Sequence, residues 1–331
     1  MELVEAIILS VLAASTPLLI AATGELVTER SGVLNLGVEG MMIVGAACGF
    51  AGAWLSGSII IGALCGIIAG VLMSLIFAMM TLGLAVNQVA TGLALTILGI
   101  GLSGLIGAGF VGERITPAPH LYIPVLTGIP LIGRIVFGED GFVYLSLALI
   151  VAVSWFLYRT RAGLVLRACG DNHVSAHALG YPVLRIRMLA VMFGGACAGL
   201  AGAYLPLAYT PFFIPGMTAG RGWIALALVV FASWLPGRLV IGAYLFGAVS
   251  ILQLHLQGAR HRYPLAIHVG AALSGDRRRA GAAVARPHRR LDRTRRARHR
   301  FRARPLNAFS GPARLGAPCP ELLGSPRTFG D

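Results

Sequence analysis

The sequence predicts an all-α fold. It reads as a polytopic bundle of about eight membrane segments, some discontinuous or re-entrant, followed by a basic, irregular C-terminal tail. Three observations carry this. Only 12% of the 331 residues are charged, and the mean hydropathy is +0.79, whereas a soluble domain carries about 25% charge. Apolar runs recur at 4–23, 41–55, 59–83, 88–108, 142–158, 188–207, 222–235 and 239–256, several of them near the ~20 residues that cross a bilayer. The breaks between them are rich in Gly, Pro and charge, as expected where the backbone leaves lipid.

Taken in order, the start "MELVEAIILS" has two glutamates and no basic segment. It reads as a first membrane anchor, not a cleavable signal. The turn Ser56–Ser58 is short enough to make the second and third segments antiparallel neighbours. Gly62, Gly66 and Gly70 form a small-residue ridge on the third. Gly195, Ala198, Gly199 and Gly202 form another on the sixth. Such ridges let helices approach closely in lipid. The segment 222–235 is too short to cross at full length and reads as a half-helix or re-entrant piece. Trp223 at its start reads as an interfacial anchor or as part of an extracellular mouth.

Loop arginines set the orientation. The loop 159–187 carries five arginines against Asp171, and the loop 109–141 carries two against three acids. The first is therefore placed in the cytoplasm and the second outside. Counting back puts the N-terminus outside. It also puts Thr23–Gly40, with a net charge of −2, at the inner face, where it fits the rule poorly.

The net charge of +14 belongs almost wholly to the tail. Residues 1–258 hold ten arginines and nine acids; residues 259–331 hold 17 arginines and four acids. The first block reads as a transmembrane domain. The second reads as the product of a shifted frame in a GC-rich gene, as a solvated disordered tail, or as an arm for nucleic acid or anionic lipid. A shifted frame accounts best for an Arg/Ala/Pro composition with no lysine, so no nucleic acid is expected as a partner.

Several chemistries are excluded. Without lysine there is no phosphate-binding GxxxxGK[ST] loop. No Ser-His-Asp set or paired carboxylates stand out. His173 and His177 share a helix face but lack a third ligand for a metal. The five cysteines form no CxxC pair. An intramembrane enzyme would need paired carboxylates or a metal cluster near a membrane face, and an ion-coupled secondary transporter would need ionisable groups deep in its helices. The third to sixth segments carry none between their ends.

What remains is a set of polar residues at membrane depth: Asn35, Glu39, Asn87, Gln88, Thr91 and Gln253. Groups of this kind face a cavity or a partner. "GELVTERSGVLNLGVEG" (24–40) reads either as a broken helix lining a solute path or as a cytoplasmic loop with Glu29 paired to Arg30. Asn87 and Gln88 either cap the fourth segment or touch solute. Asn35, Glu39, Asn87, Gln88 and Thr91 are taken as the candidate pathway residues, since their amides, hydroxyl and carboxyl suit a polyhydroxylated solute.

Four blocks carry a resemblance: "GELVTERSGVLNLGVEGMMIVGA", "VNQVATGLALTILG", "RACGDNHVSAHALGYPVLRIRMLAVMFGGACAGLAGAYL" and "GMTAGRGWIALALVVF". In this order they resemble permease subunits of bacterial ATP-binding-cassette importers. The match is to the branched-chain amino acid and simple-sugar permease superfamily, in its nucleoside/simple-sugar branch, over about residues 3–258. The resemblance implies an inner-membrane transport subunit that is not itself an enzyme and binds no cofactor. Its partners would be cytoplasmic ATPase subunits holding ATP-Mg, a second permease (a copy or a paralogue), an extracytoplasmic solute-binding protein and membrane lipid. It also implies that a coupling helix in the 159–187 loop docks on the ATPase, at Gly170, Asp171, Asn172, Ala176, Leu179 and Gly180. On this reading the small side chains of Ala176 and Gly180 let the partner surface come close. Family members continue past Gly258 with one more apolar crossing, and this chain does not.

Overall fold

A computed structural model describes the chain over residues 2–119 and 138–262. The tail beyond residue 262, and with it all three readings of that tail, lies outside the described residues. Within them there are ten α-helices and no strand. Seven of the helices are long and apolar enough to cross a membrane, and an eighth apolar helix is shorter.

Helix α1 runs Glu2–Arg30, longer than its apolar core because Gly24, Glu25 and Glu29 stay helical. The break expected over 24–40 is thus confined to residues 31–37, which are turns and extended chain. Helix α2 (Val38–Ser56) ends on Gly57 in the left-handed conformation. It packs antiparallel against α3 (Ile59–Ala78), which finishes in a π-helical turn at Met79–Gly83. Helix α4 covers Gln88–Gly107 and α5 covers Gly141–Arg159. Two short helices, α6 (Arg161–Asp171) and α7 (His173–Ala178), precede α8 (Val183–Tyr204), which ends in a second π turn at Leu205–Tyr209. Helix α9 is only Arg221–Phe231, and α10 spans Pro236–Arg262.

Helices α2 and α8 form the centre, wrapped by α1, α3 and α4. The two glycine ridges meet each other. A Cβ at Gly70 would strike Gly195 O, one at Gly199 would strike Gly66 O, and one at Gly45 would strike Gly199. Lipid tails are as apolar as Leu, so close backbone contact of this kind, not hydrophobic expulsion, holds such helices together. The outer faces of α3, α4 and α10 expose Ile68, Leu72, Ile97, Leu105, Leu245 and Val249, as lipid- or partner-facing helices should. Gln253 lies exposed near the end of α10, away from the centre.

Before α9 the chain has no regular helix over residues 210–220. Part of this segment, with the π turn before it, meets residues 114–118: Arg114 bridges Phe212, Ile115 N donates to Pro211 O, and Ala118 N donates to Leu207 O. The 11 residues of α9 span about 16 Å, roughly half of the ~30 Å hydrocarbon core. The short segment is therefore a half-helix, reached through non-helical chain and followed by the full-length α10.

Candidate functional site

Two broken elements meet inside the bundle. After α1 ends at Arg30, residues 31–37 turn back alongside it, so that Asn35 N donates to Glu25 Oε1 at 3.1 Å. Asn35 is fully buried. Its Oδ1 accepts from Gly37 N at 3.0 Å and its amide nitrogen lies 3.5 Å from Met41 Sδ. One oxygen of Glu25, Oε2, is buried with no hydrogen-bond partner. Helix α2 then starts with Glu39 in its first turn.

Glu39 is 5% exposed and receives three hydrogen bonds. Thr218 Oγ1 donates to Oε1 at 2.6 Å, Gly220 N donates to Oε1 at 2.9 Å, and Gly222 N donates to Oε2 at 2.7 Å. These donors sit at the N-terminus of α9, where N–H groups lack partners within the helix and the helix dipole favours an acceptor. Gly222 is required here, because a Cβ would collide with the Glu39 backbone. Glu39 is thus the clasp between the start of α2 and the start of the half-helix. The other end of α9 is tied to α1: Arg30 Nη2 donates to Trp234 O at 3.1 Å, and Trp234 Nε1 donates to Glu29 Oε2. Glu29 and Arg30 therefore share Trp234 and are not simply paired with each other. Trp223, in the first turn of α9, is about half exposed.

The remaining pathway candidates separate by exposure. Asn87 is exposed and caps α4, with Oδ1 accepting from Val89 N at 2.9 Å and Ala90 N at 3.2 Å. Thr91 Oγ1 donates to Asn87 O at 2.9 Å. Gln88 is half-buried, and its Oε1 accepts from Leu34 N at 2.9 Å, pinning the 31–37 turn to α4. Gln88 also borders a cavity of about 610 Å³ lined by Thr81, His173, His177, Arg185 and Arg187. The structure therefore buries Asn35 and Glu39, each with its own set of partners, keeps Asn87 and Thr91 on a more open face, and places Gln88 between the two, bonded to the 31–37 turn. No group of three or more metal-ligating side chains occurs among the described residues.

The loop between α5 and α8 is helical nearly throughout. Helix α6 is amphipathic and seats Gly163, Leu166 and Cys169 against the bundle. Gly170 is half-buried, and a Cβ there would strike Arg30 O, so this glycine serves the packing of α6 on the end of α1. Asp171, the last residue of α6, is exposed. Asn172 caps α7 by accepting from Ser175 N at 3.1 Å. Gly180 has φ +87°, and nothing lies near its missing Cβ. Its N–H donates to His177 O and that of Tyr181 to Ala176 O, the glycine-terminated end that a left-handed residue gives a helix. Ala176 is 3% exposed and turned into the chain's own fold, so the expectation that its small size admits a partner surface is corrected. It is small because it packs inward, and Gly180 is glycine because of its backbone angle. The large exposed apolar residues of this loop are Leu164, Val174, Leu179, Tyr181 and Leu184, with Leu179 the most open at 78%.

One residue ties these parts together and was missed in the sequence. Arg187, in the first turns of α8, donates from Nε to Ser31 O at 3.0 Å and from Nη2 to Cys169 O at 3.0 Å. It joins the C-terminal ends of α1 and α6, where carbonyls lack helical partners and a cation is favoured. In the sequence it looked like one more topology-setting arginine. Thr218, Gly220 and Trp234 were also missed. The only signal for them was indirect: an acid at mid-membrane requires donors.

Comparison with known proteins adds to this geometry. The profile of the family described as the branched-chain amino acid transport system / permease component matches residues 7–270. A protein of Haloferax volcanii, by name a glucose ABC transporter permease protein, is 44% identical over 79% of this chain and 80% of its own length. The guanosine ABC transporter permease protein NupQ of Bacillus subtilis is 31% identical over 76% of this chain and 83% of its own. The nucleoside ABC transporter permease protein NupC of Lactococcus lactis is 31% identical over 74% and 81%.

Proposed function

Because this chain belongs to the family of permease components of branched-chain amino acid transport systems, we propose that it moves a nucleoside or a simple sugar inward across the membrane. It is a multi-pass inner-membrane transport subunit, not an enzyme. Permeases of this family work with a separate ATPase and a solute-binding protein. The single observation behind the solute class is that relatives covering about four-fifths of their own length are, by name, glucose, guanosine and nucleoside permeases.

On this reading ATP-Mg binds in the partner ATPase and nothing binds as a cofactor here. A second permease subunit, a copy or a paralogue, completes the path. ATP-driven closure of the ATPase moves α7, whose exposed Val174 docks on it together with Leu179 just past the helix end, with Asp171 and Asn172 at the helix start. The displacement passes through α6 and Arg187 to the 31–37 turn and through Glu39 to the half-helix, which shifts between inward and outward arrangements. Asn35 and Glu39 act by holding that mechanism, whereas Asn87, Gln88 and Thr91 border the solute. An amide and a hydroxyl there match the donor and acceptor pattern of a sugar or ribose.

The test is uptake by vesicles holding this permease with its ATPase and binding protein. Labelled glucose or guanosine should enter, and excess leucine should not compete. Uptake of leucine with neither of the others would overturn the assignment. Within that assay, Gln88→Ala should raise the half-saturating solute concentration, and an unchanged value would remove Gln88 from the path.

A further inference from the structure

Between α5 and α8, at the cytoplasmic end of the bundle, lies a groove of about 530 Å³. Helices α5 and α8 are not packed on each other there; each packs on α1, and α6 closes the lower end. Its walls include Val27, Ala152, Phe156, Val165, Ile186 and Phe193, and they are almost free of polar atoms. A nucleoside or sugar finds no hydrogen-bond partner in such a space. The groove is open on one side, so an apolar chain from the bilayer can enter it and cover its walls.

Position and charge identify the occupant. The lining runs from Phe156 to Leu149 on α5 and from Ile186 to Phe193 on α8. Each stretch rises about 10 Å, within one leaflet's half of the ~30 Å core. The groove opens onto lipid-facing surface, where Leu189 is 65% exposed. At its cytoplasmic end stand Arg159, Arg161 and Arg167, with no acid until Asp171. Arg161 is exposed and adjoins the lining residue Ala162. Arg167 lies with its guanidinium 5.0 Å from the Tyr158 ring centre. Arginines at the cytoplasmic surface attract anionic headgroups.

We infer that this groove binds an acyl chain of an anionic phospholipid from the cytoplasmic leaflet, with the headgroup held by Arg161. The lipid forms part of the wall behind α6 and so supports the seat of the cytoplasmic loop. The inference rests on the membrane topology and not on the identity of the solute, so it survives a change of solute.

Native mass spectrometry of the full chain tests it, after equilibration in vesicles of equal phosphatidylglycerol and phosphatidylcholine and extraction in mild detergent. The wild type should retain a phospholipid, with phosphatidylglycerol favoured several-fold. Ala152→Trp fills the groove from its exposed side and should lose the lipid, while Leu147→Trp, on the same helix outside the groove, should keep it. Arg161→Gln should keep a lipid but bring the headgroup ratio toward one. Equal retention by Ala152→Trp and the wild type would overturn the site, as would loss in Leu147→Trp as well, which marks the lipid as merely annular. Loss on assembly of the wild type with its partner permease would assign the groove to that subunit, and retention in the assembled importer supports the lipid.

Discussion

Glu39 is a buried carboxylate that holds two elements together. Three donors converge on it from the start of α9, and net hydrogen-bond contributions of ~1 kcal/mol each, larger when a donor is left unpaired, put the cost of Glu39→Ala at about 2–4 kcal/mol. A melting temperature lower by several degrees, with new protease cleavage in residues 210–220, is the expected result. Glu139, just before α5, behaves differently. Burial pushes its carboxyl up from 4.5 to about 7, with the neighbouring Asp140 adding to the effect. The folded protein therefore holds a proton that the unfolded chain releases between these values. That contribution is complete below pH 4.5 and is lost as pH rises through 7. Melting temperature measured from pH 5 to 8 should fall with rising pH, and Glu139→Gln should flatten that slope. At Gly180 the cost is in the backbone: φ is +87° and the space is open, so Gly180→Ala should cost about 1 kcal/mol. Ala176→Leu overfills a buried position and should cost about 1–3 kcal/mol.

Among the elements, the end of α1 and the loop helix α6 are joined by one guanidinium. Arg187 bonds the ends of α1 and α6 at once, and Gly170 lets α6 lie against Arg30. Arg187→Ala should therefore leave the protein in the membrane with ATPase activity of the assembled importer near normal, while solute moved per ATP drops several-fold. A parallel fall of both activities would mean that Arg187 only supports folding. Much of this level was legible in the sequence. Long apolar runs gave the crossing helices, the short run at 222–235 gave the half-helix, and the glycine ridges on the third and sixth segments packed together as their spacing indicated. The clasp was not legible. Glu39 and Thr218 are 179 residues apart, and no local pattern pairs an acid with the N-terminus of a helix that far along the chain. The burial of Ala176 and Asn35 was not legible for a related reason. Burial on one side of a short helix, or inside a turn, depends on what packs there, and composition does not show it.

At the scale of the molecule, the helical loop is bonded through Arg187 to the 31–37 turn, and the start of α2 after that turn is clasped by Glu39 to the start of α9. On the proposed mechanism these parts act as a lever. Nothing in this path requires a deep ionisable group in α3, α4 or α8, and none was found there by sequence. The proposed mechanism has force arrive from a partner ATPase through α7. Its most direct measurement is uptake by sealed vesicles holding the assembled importer, with ATP supplied on the α7 side and ion gradients collapsed by ionophores. Uptake should persist with ATP and stop without it, and Leu179→Asp should abolish it while leaving the permease folded. Uptake that survives the removal of ATP and follows an imposed proton or sodium gradient would contradict the account.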